Sequence, residues 1–426
     1  MNATHSALVF NIHLPTFNST MKTIIRDIFE ACTLHRENYK SPPFAVTTYA
    51  ASEIVNISDL KKFDDAIAKL LVINECKYLS QEMLLIIIRR TLVECGTFCD
   101  FNINVRIEKF SENLKGLKLV DYKVIKTFYG ATIRQSNGPV KFGPLVVYEL
   151  PRHADKIIPL FRPKEYTIFQ RQEPEKTVIE CLVKAKDEIK ALELANNAFN
   201  AFDQLIAFLL GEKYTEYSIG ILRMHFAPHQ NAIISCDGGV FSGEEENNSF
   251  KGALDISDLS RFLANDGEGA LLDQLLDIVI SPASDLEKKI SKTVEWVGES
   301  YSDINRSSAY LKAVIALEAL LKMDEKSIIT PSIMSSIAEQ CAYLNGQSTE
   351  ECLNIEKKVK TLYSERSKIA HTGSTSVSIK TLREARAFVR QTILNFIHFA
   401  KKFDIKSTDD FQSTLRKRKY QCGGLG

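Results

Sequence analysis

Ala309-Tyr-Leu-Lys-Ala-Val-Ile-Ala-Leu-Glu-Ala-Leu-Leu-Lys322 decides how the last third of this chain folds. It is rich in strong helix formers and apolar nearly all round, so it reads as the central helix of a bundle. Glu318 breaks the pattern. At about 100° per residue it falls between Val314 and Leu311 or Ile315, inside the apolar arc. Two outcomes are open. Either the carboxylate finds a partner, because an unpaired buried charge is costly or takes up a proton, or the arc is partly uncovered and Glu318 reaches water.

Working outward, everything after about Ser284 is helical in pattern. One helix runs from about Glu350 to Ala370, with Ile355, Val359, Leu362, Tyr363 and Ile369 on its apolar side. It closes on His371-Thr-Gly373, where the glycine suits a left-handed cap. His371 then sits at the carbonyl end of the helix, which favours the imidazolium. Arg366 lies about 140° away around the helix, so the two do not share a face. They converge if the helix end unwinds or if a second copy of the chain supplies one of them. A permanent cation and a proton-transferring imidazole are two of the parts needed to cleave RNA without a metal.

The final long helix, Ser378 to Phe403, carries a core stripe of Leu382, Ala385, Val389, Thr392, Phe396 and Phe399. Arg383, Arg386 and Arg390 form a separate line, which either grips successive phosphates or simply faces solvent. Residues 406–426, with Arg416-Lys-Arg-Lys419, read as a flexible basic tail that attracts nucleic acid non-specifically.

Residues 1–285 read as a mixed α+β sensor or regulatory region, separable into two subdomains. Ser58 to Glu94 is helical in period, with Ser58 as an N-cap. Leu119–Tyr129, Gly143–Leu150 and Thr177–Val183 read as strands, punctuated by Gly130, Asn137-Gly138-Pro139 and Gly143-Pro144. A long helix containing Ala191, Leu194, Ala195, Phe199, Phe202 and Ile206 closes at Gly211. Tyr217–His225 and Ala232–Cys236 suggest paired strands, Asp237-Gly-Gly239 a turn and Gly243–Ser249 a polar loop. The polar stretch Gly298–Arg306 suggests part of the junction with the helical region.

Formal net charge is +1, with 45% hydrophobic and 25% charged residues, the balance of a globular protein without a global basic field. Any surface for nucleic acid has to be local. The longest apolar run, Met83–Ile88, is too short to span a bilayer, and Met1–Phe17 does not read as a signal peptide. Nine scattered cysteines suit free thiols in a reducing cytoplasm. Cys95 and Cys99 lack further ligands at zinc spacing, and His225 and His229 lack a third. Gly238-Gly239 lacks the Lys-Ser/Thr of a phosphate-binding loop.

Leu311–Leu321, Ile329-Thr330, Ile337-Ala-Glu-Gln-Cys-Ala342 and Leu362-Tyr-Ser-Glu-Arg-Ser-Lys-Ile-Ala-His371 together resemble the HEPN superfamily, in particular its ApeA-like branch from bacterial defence proteins. The resemblance covers residues 286–405, a helical bundle. It implies a metal-independent endoribonuclease with no cofactor, leaving 2′,3′-cyclic phosphate ends. The family signature, an arginine followed a few residues later by a histidine, marks Arg366 and His371, with Glu318 as a supporting group. Many members place Asn, Asp or His directly after the arginine, where this chain has Ser367. The implied partners are an RNA substrate, gripped by Arg383, Arg386, Arg390 and Lys368, and a second copy in a homodimer or higher even oligomer. The expected setting is cytoplasmic antiphage defence or abortive infection, with a phage-derived or nucleotide trigger and no membrane. The other function class open to this sequence is a catalytically idle helical module that dimerises or binds RNA, a nucleotide or a protein.

Overall fold

The computed structural model describes residues 19–36, 53–95, 102–134, 138–150, 152–157, 176–222, 229–236, 239–246, 252–257, 259, 269–322, 333–372 and 377–421. The chain divides into two compact units, residues 1–122 with 183–194, and residues 123–182 with 195–426. Its architecture is mixed α and β with a helical C-terminal part.

In the first unit, α1 (Ser19–Glu30), α2 (Leu60–Leu71), α3 (Gln81–Cys95) and α4 (Ile103–Lys115) surround one apolar core, beside the antiparallel pair β1 (Cys32–Arg36) and β2 (Glu53–Ile57). The helical period explains which residues enter it: Met21, Ile24, Ile25, Ile28 and Phe29 from α1, and Phe63, Ala66, Ile67 and Leu70 from α2. The cap of α2 is Asp59, whose side chain accepts the Lys62 N–H at 3.0 Å, one residue beyond the expected Ser58. Ser58 is engaged elsewhere: its backbone N–H and its hydroxyl both donate to the Ala31 carbonyl.

Two helix starts in this unit are tied to one carboxylate. Asp187 is buried, and its Oδ1 accepts the Lys190 N–H at 2.9 Å to cap the helix that begins at Glu188. Its Oδ2 accepts the Ser80 N–H at 2.9 Å, and the Ser80 hydroxyl accepts the Met83 N–H at the head of α3. Asp187→Ala removes a cap and leaves a buried donor unpaired, an expected cost of about 2 kcal/mol read as a lowered denaturation midpoint. An unchanged midpoint would show that water replaces the carboxylate.

The sheet runs β3 (Val120–Thr127), β7 (Lys176–Ala185), β6 (Leu145–Leu150), β5 (Val140–Phe142) in spatial order, with β5/β6 and β6/β7 antiparallel. All three strands expected here form. Between β3 and β5 lies β4 (Ala131–Thr132), which pairs in parallel with β10 (Leu254–Asp255). Gly130 precedes β4 at φ +66°, and a Cβ on it would stand 1.7 Å from the Ser218 carbonyl oxygen. Only glycine allows these two backbones to meet. A single helical turn, α5 (Ala154–Ile157), precedes β7, and α6 (Glu188–Leu210) follows it, ending at Gly211 with φ +58° as its sequence implies.

Two strand expectations are corrected. Residues 232–236 belong to β8 (His229–Cys236), which pairs with β9 (Gly239–Glu246) rather than with 217–225. Tyr217 and Gly220 make isolated bridges to Gly252 and Tyr129. Gly243–Glu246, expected in a polar loop, is strand, because antiparallel pairing satisfies its backbone whatever the side chains. His225, Cys99, Gly238, Ile329, Thr330 and Gly373 lie outside the described residues.

The helical part comprises α7 (Gly269–Ile280), α8 (Asp285–Ser302), α9 (Arg306–Leu321), α10 (Ile333–Asn345), α11 (Thr349–Thr372), α12 (Ile379–Lys402) and α13 (Thr408–Gln421). Ser284 opens α8 with a complete capping box to Glu287, and the helical run itself begins one helix earlier than the sequence pattern placed it, with α7. The stretch 298–306 is not a loose junction. It is the last turn of α8 and a tight corner, held by Asp303, which bonds the Ser308 hydroxyl and Lys312, and by Asn305, which caps α9. Gly298 sits where α8 meets α6: a Cβ there would lie 2.4 Å from the Gln204 carbonyl oxygen. The expected flexible tail is corrected as well. Residues 408–421 form a helix that buries Phe411 and Leu415, with Phe411 stacked 4.5 Å from Phe396. No described helix is long and apolar enough to cross a membrane.

Candidate functional site

Helix α9 is buried along most of its length, from Ala309 and Tyr310 to Leu320 and Leu321. Tyr310 pins it to α11 by donating its hydroxyl to the Leu362 carbonyl at 3.2 Å. One turn further along α11, Arg366 faces Glu318, with Nη2 3.6 Å from Oε1. Both outcomes foreseen for Glu318 hold together: it has a cationic partner and its side chain remains 23% exposed. Arg366 is 35% exposed, enough to present part of its guanidinium to a ligand.

Tyr363 completes this group, and the sequence assigned it only to the core. It stands one turn before Arg366, on the same side of α11. Burial first, then the Glu318 carboxylate, hold its phenolic proton on more tightly than usual. Arg366 Nε is buried without a hydrogen-bond partner among the described residues, and the buried Tyr363 hydroxyl has only the Glu318 carboxylate beside it. Buried polar atoms of this kind mark a cluster left partly unsatisfied. An aromatic residue three positions before the arginine was the available signal.

Arg366 and His371 open onto one concavity of about 520 Å³, lined also by Met334, Tyr363, Ser364, Ser367 and Lys368. Helix α11 stays helical through Thr372, so its end does not unwind to bring them together. A concavity that spans a wide arc of the helix collects both from a single chain. His371 is exposed at the last turn. Lys368 is exposed and pairs with Glu365 at 3.3 Å. The site thus presents two permanent cations and one imidazole, with carboxylates held at its back and edge.

No protein-family model matches the chain, and comparison with curated proteins and with solved structures gives no match.

The line of arginines on α12 does not face solvent as expected. Arg386 is 4% exposed, donates to the Ser300 hydroxyl at 3.0 Å and to the Ser300 carbonyl, and lies over the Tyr301 ring. Arg390 donates to the Phe208 and Leu209 carbonyls at 2.9 and 3.3 Å, capping the end of α6. Arg383 is 61% exposed and pairs with Glu212 at 3.4 Å. Two of these three cations hold the fold together, because buried and half-buried carbonyls of Ser300, Phe208 and Leu209 take their donors from them. Cys95 is a buried thiol whose pKa is raised, chiefly by burial. Among the described residues no three His, Cys, Asp or Glu are grouped to hold a metal ion.

Proposed function

We propose that this protein is a metal-independent endoribonuclease of the HEPN type, acting as a dimer or higher even oligomer in antiviral defence, with residues 1–285 controlling it. The observation that supports this reading is the opening of Arg366 and His371 onto one exposed concavity, with Glu318 paired behind the arginine. The nucleophile is the RNA's own 2′-OH. His371 takes its proton as the 2′ oxygen attacks phosphorus, and the bond from phosphorus to the 5′ oxygen breaks. Arg366 holds the non-bridging oxygens and stabilises the charge that builds on them. The leaving 5′ oxygen takes a proton, from a second His371 across a two-fold axis or from water, giving a 2′,3′-cyclic phosphate and a 5′-OH. DNA, lacking the 2′-OH, binds without being cut.

Glu318 is a positioning residue: it touches Arg366 rather than the phosphate. Glu318→Gln is expected to lower kcat about tenfold with KM and the denaturation midpoint little changed, since the guanidinium loses its charged orienting partner. A change in KM alone would assign Glu318 to binding. The direct test of the function is incubation of single-stranded RNA with the full chain in EDTA, followed by analysis of the product ends. Cyclic phosphate ends that vanish in His371→Ala support the reading, and cleavage that requires magnesium overturns it.

A further inference from the structure

A second cavity lies at the opposite end of α11 from His371. Its volume is about 620 Å³, within the range of pockets that hold small ligands, and it is framed by the end of α10, the end of α12 and one face of α13. Gln347, which lines it, stands two residues before α11, so about 33 Å of helix separates this cavity from His371. It is not a subsite of the concavity described above.

Its chemistry is one-sided. Lys402, Lys417 and Arg418 line it, and no carboxylate does. None of the three makes an ion pair among the described residues, whereas the nearby acids are engaged elsewhere. Glu339 pairs with Lys419, Asp404 with Lys406, and Glu351 accepts the Gln347 N–H. Three cations sharing one concave wall repel each other, and an anion seated among them removes that repulsion. The wall also carries an aromatic face. Phe403 is 46% exposed, an unusual placement for a phenylalanine, and Lys402 Nζ lies 5.6 Å over its ring. Arg418 is steadied by the Gly346 carbonyl and the Phe399 ring, so its position is set in advance. Exposed Gln347 adds an amide that can donate and accept along the edge of a base, while Asn345 and Asn395 bond each other and Cys341, Thr392 and Gln391 and so stiffen the wall.

From this combination we infer that the cavity binds a nucleotide unit, with its phosphate among Lys402, Lys417 and Arg418 and its base against Phe403. Stacking on an exposed aromatic ring beside phosphate-binding cations is the general mode by which single nucleotides and unpaired strands are held. The unit comes either as a free nucleotide or as one residue of a single-stranded RNA. The inference does not rest on the nuclease reading, because neither Arg366 nor His371 contributes to it.

The test uses the full chain carrying His371→Ala, so that RNA stays intact, and measures binding of fluorescently labelled adenosine 5′-monophosphate and of a labelled single-stranded RNA decamer. Lys402→Glu with Lys417→Glu is expected to weaken binding at least about tenfold, the scale of losing a charged phosphate contact. Lys288→Glu with Lys292→Glu, the same charge change on the exposed side of α8, serves as control and is expected to have a much smaller effect. Phe403→Ala is expected to weaken both probes while leaving competition by inorganic phosphate unchanged. A loss for the mononucleotide identifies a free nucleotide as sufficient, and a loss for the decamer alone identifies the strand. Equal affinity in the Lys402/Lys417 and control variants, or no binding of either probe, overturns the inference.

Discussion

His371→Ala should reduce RNA cleavage by about 10²–10⁴-fold, the usual contribution of a positioned general acid or base. Arg366→Ala should cost about 10²–10³-fold, the scale of removing one donor to a developing oxyanion. The two effects should not add, because the groups serve the same transition state. Neither substitution should unfold the protein. His371 is exposed on the last turn of α11, and Arg366 is only partly covered, so each can be removed without opening the core. In cells, overexpression should arrest growth for the natural sequence and not for either variant. Equal tolerance of all three would leave the helical part as a binding or dimerising module.

Arg386→Ala should produce the largest loss of stability, about 3–5 kcal/mol, as expected when one member of a buried charged network is removed. The substitution takes the guanidinium donor from the Ser300 carbonyl and hydroxyl, of which the hydroxyl keeps its bond to the Ala309 carbonyl, removes a cation from beside Glu212 and empties the space over the Tyr301 ring. Tyr301 itself would feel the change: burial, with Glu212 next, pushes its phenol up to about 12, and the Arg386 cation acts in the opposite sense. Arg383→Ala, one turn away on α12, should change stability by no more than about 0.5 kcal/mol, since its pair with Glu212 is exposed. Urea denaturation of the two variants decides the matter. Comparable small losses would mean that Arg386 is free to leave its site and meet phosphate.

Much of the architecture was legible because local signals agreed. The apolar arc of α9 and the glycine that closes α6 each state one thing, and the fold obeys both. What the sequence hid depends on partners distant along the chain. Arg383, Arg386 and Arg390 form one line by helical period, yet Arg386 is buried because Ser300 and Glu212 arrive from α8 and from the turn after α6. The acidic run within β9 looked like a loop because its charges outweigh its weak alternation, while the pairing that makes it a strand comes from β8. At the candidate site, the sequence supplied the arginine, the histidine and the glutamate, and the fold added Tyr363 and the shared concavity.

The contacts of Arg390 and Arg386 bear on where this chain can be cut. Helix α12 donates to carbonyls at the end of α6 and sits beside Glu212, residues that precede α8 by some seventy positions or more. A fragment starting at the Ser284 cap would carry Arg390 without the Phe208 and Leu209 carbonyls that receive it, and Arg386 with Ser300 but without Glu212. The bundle borrows part of its seam from the segment before it, and evolution can exchange the preceding residues of such a chain only if the borrowed oxygens travel with the helices.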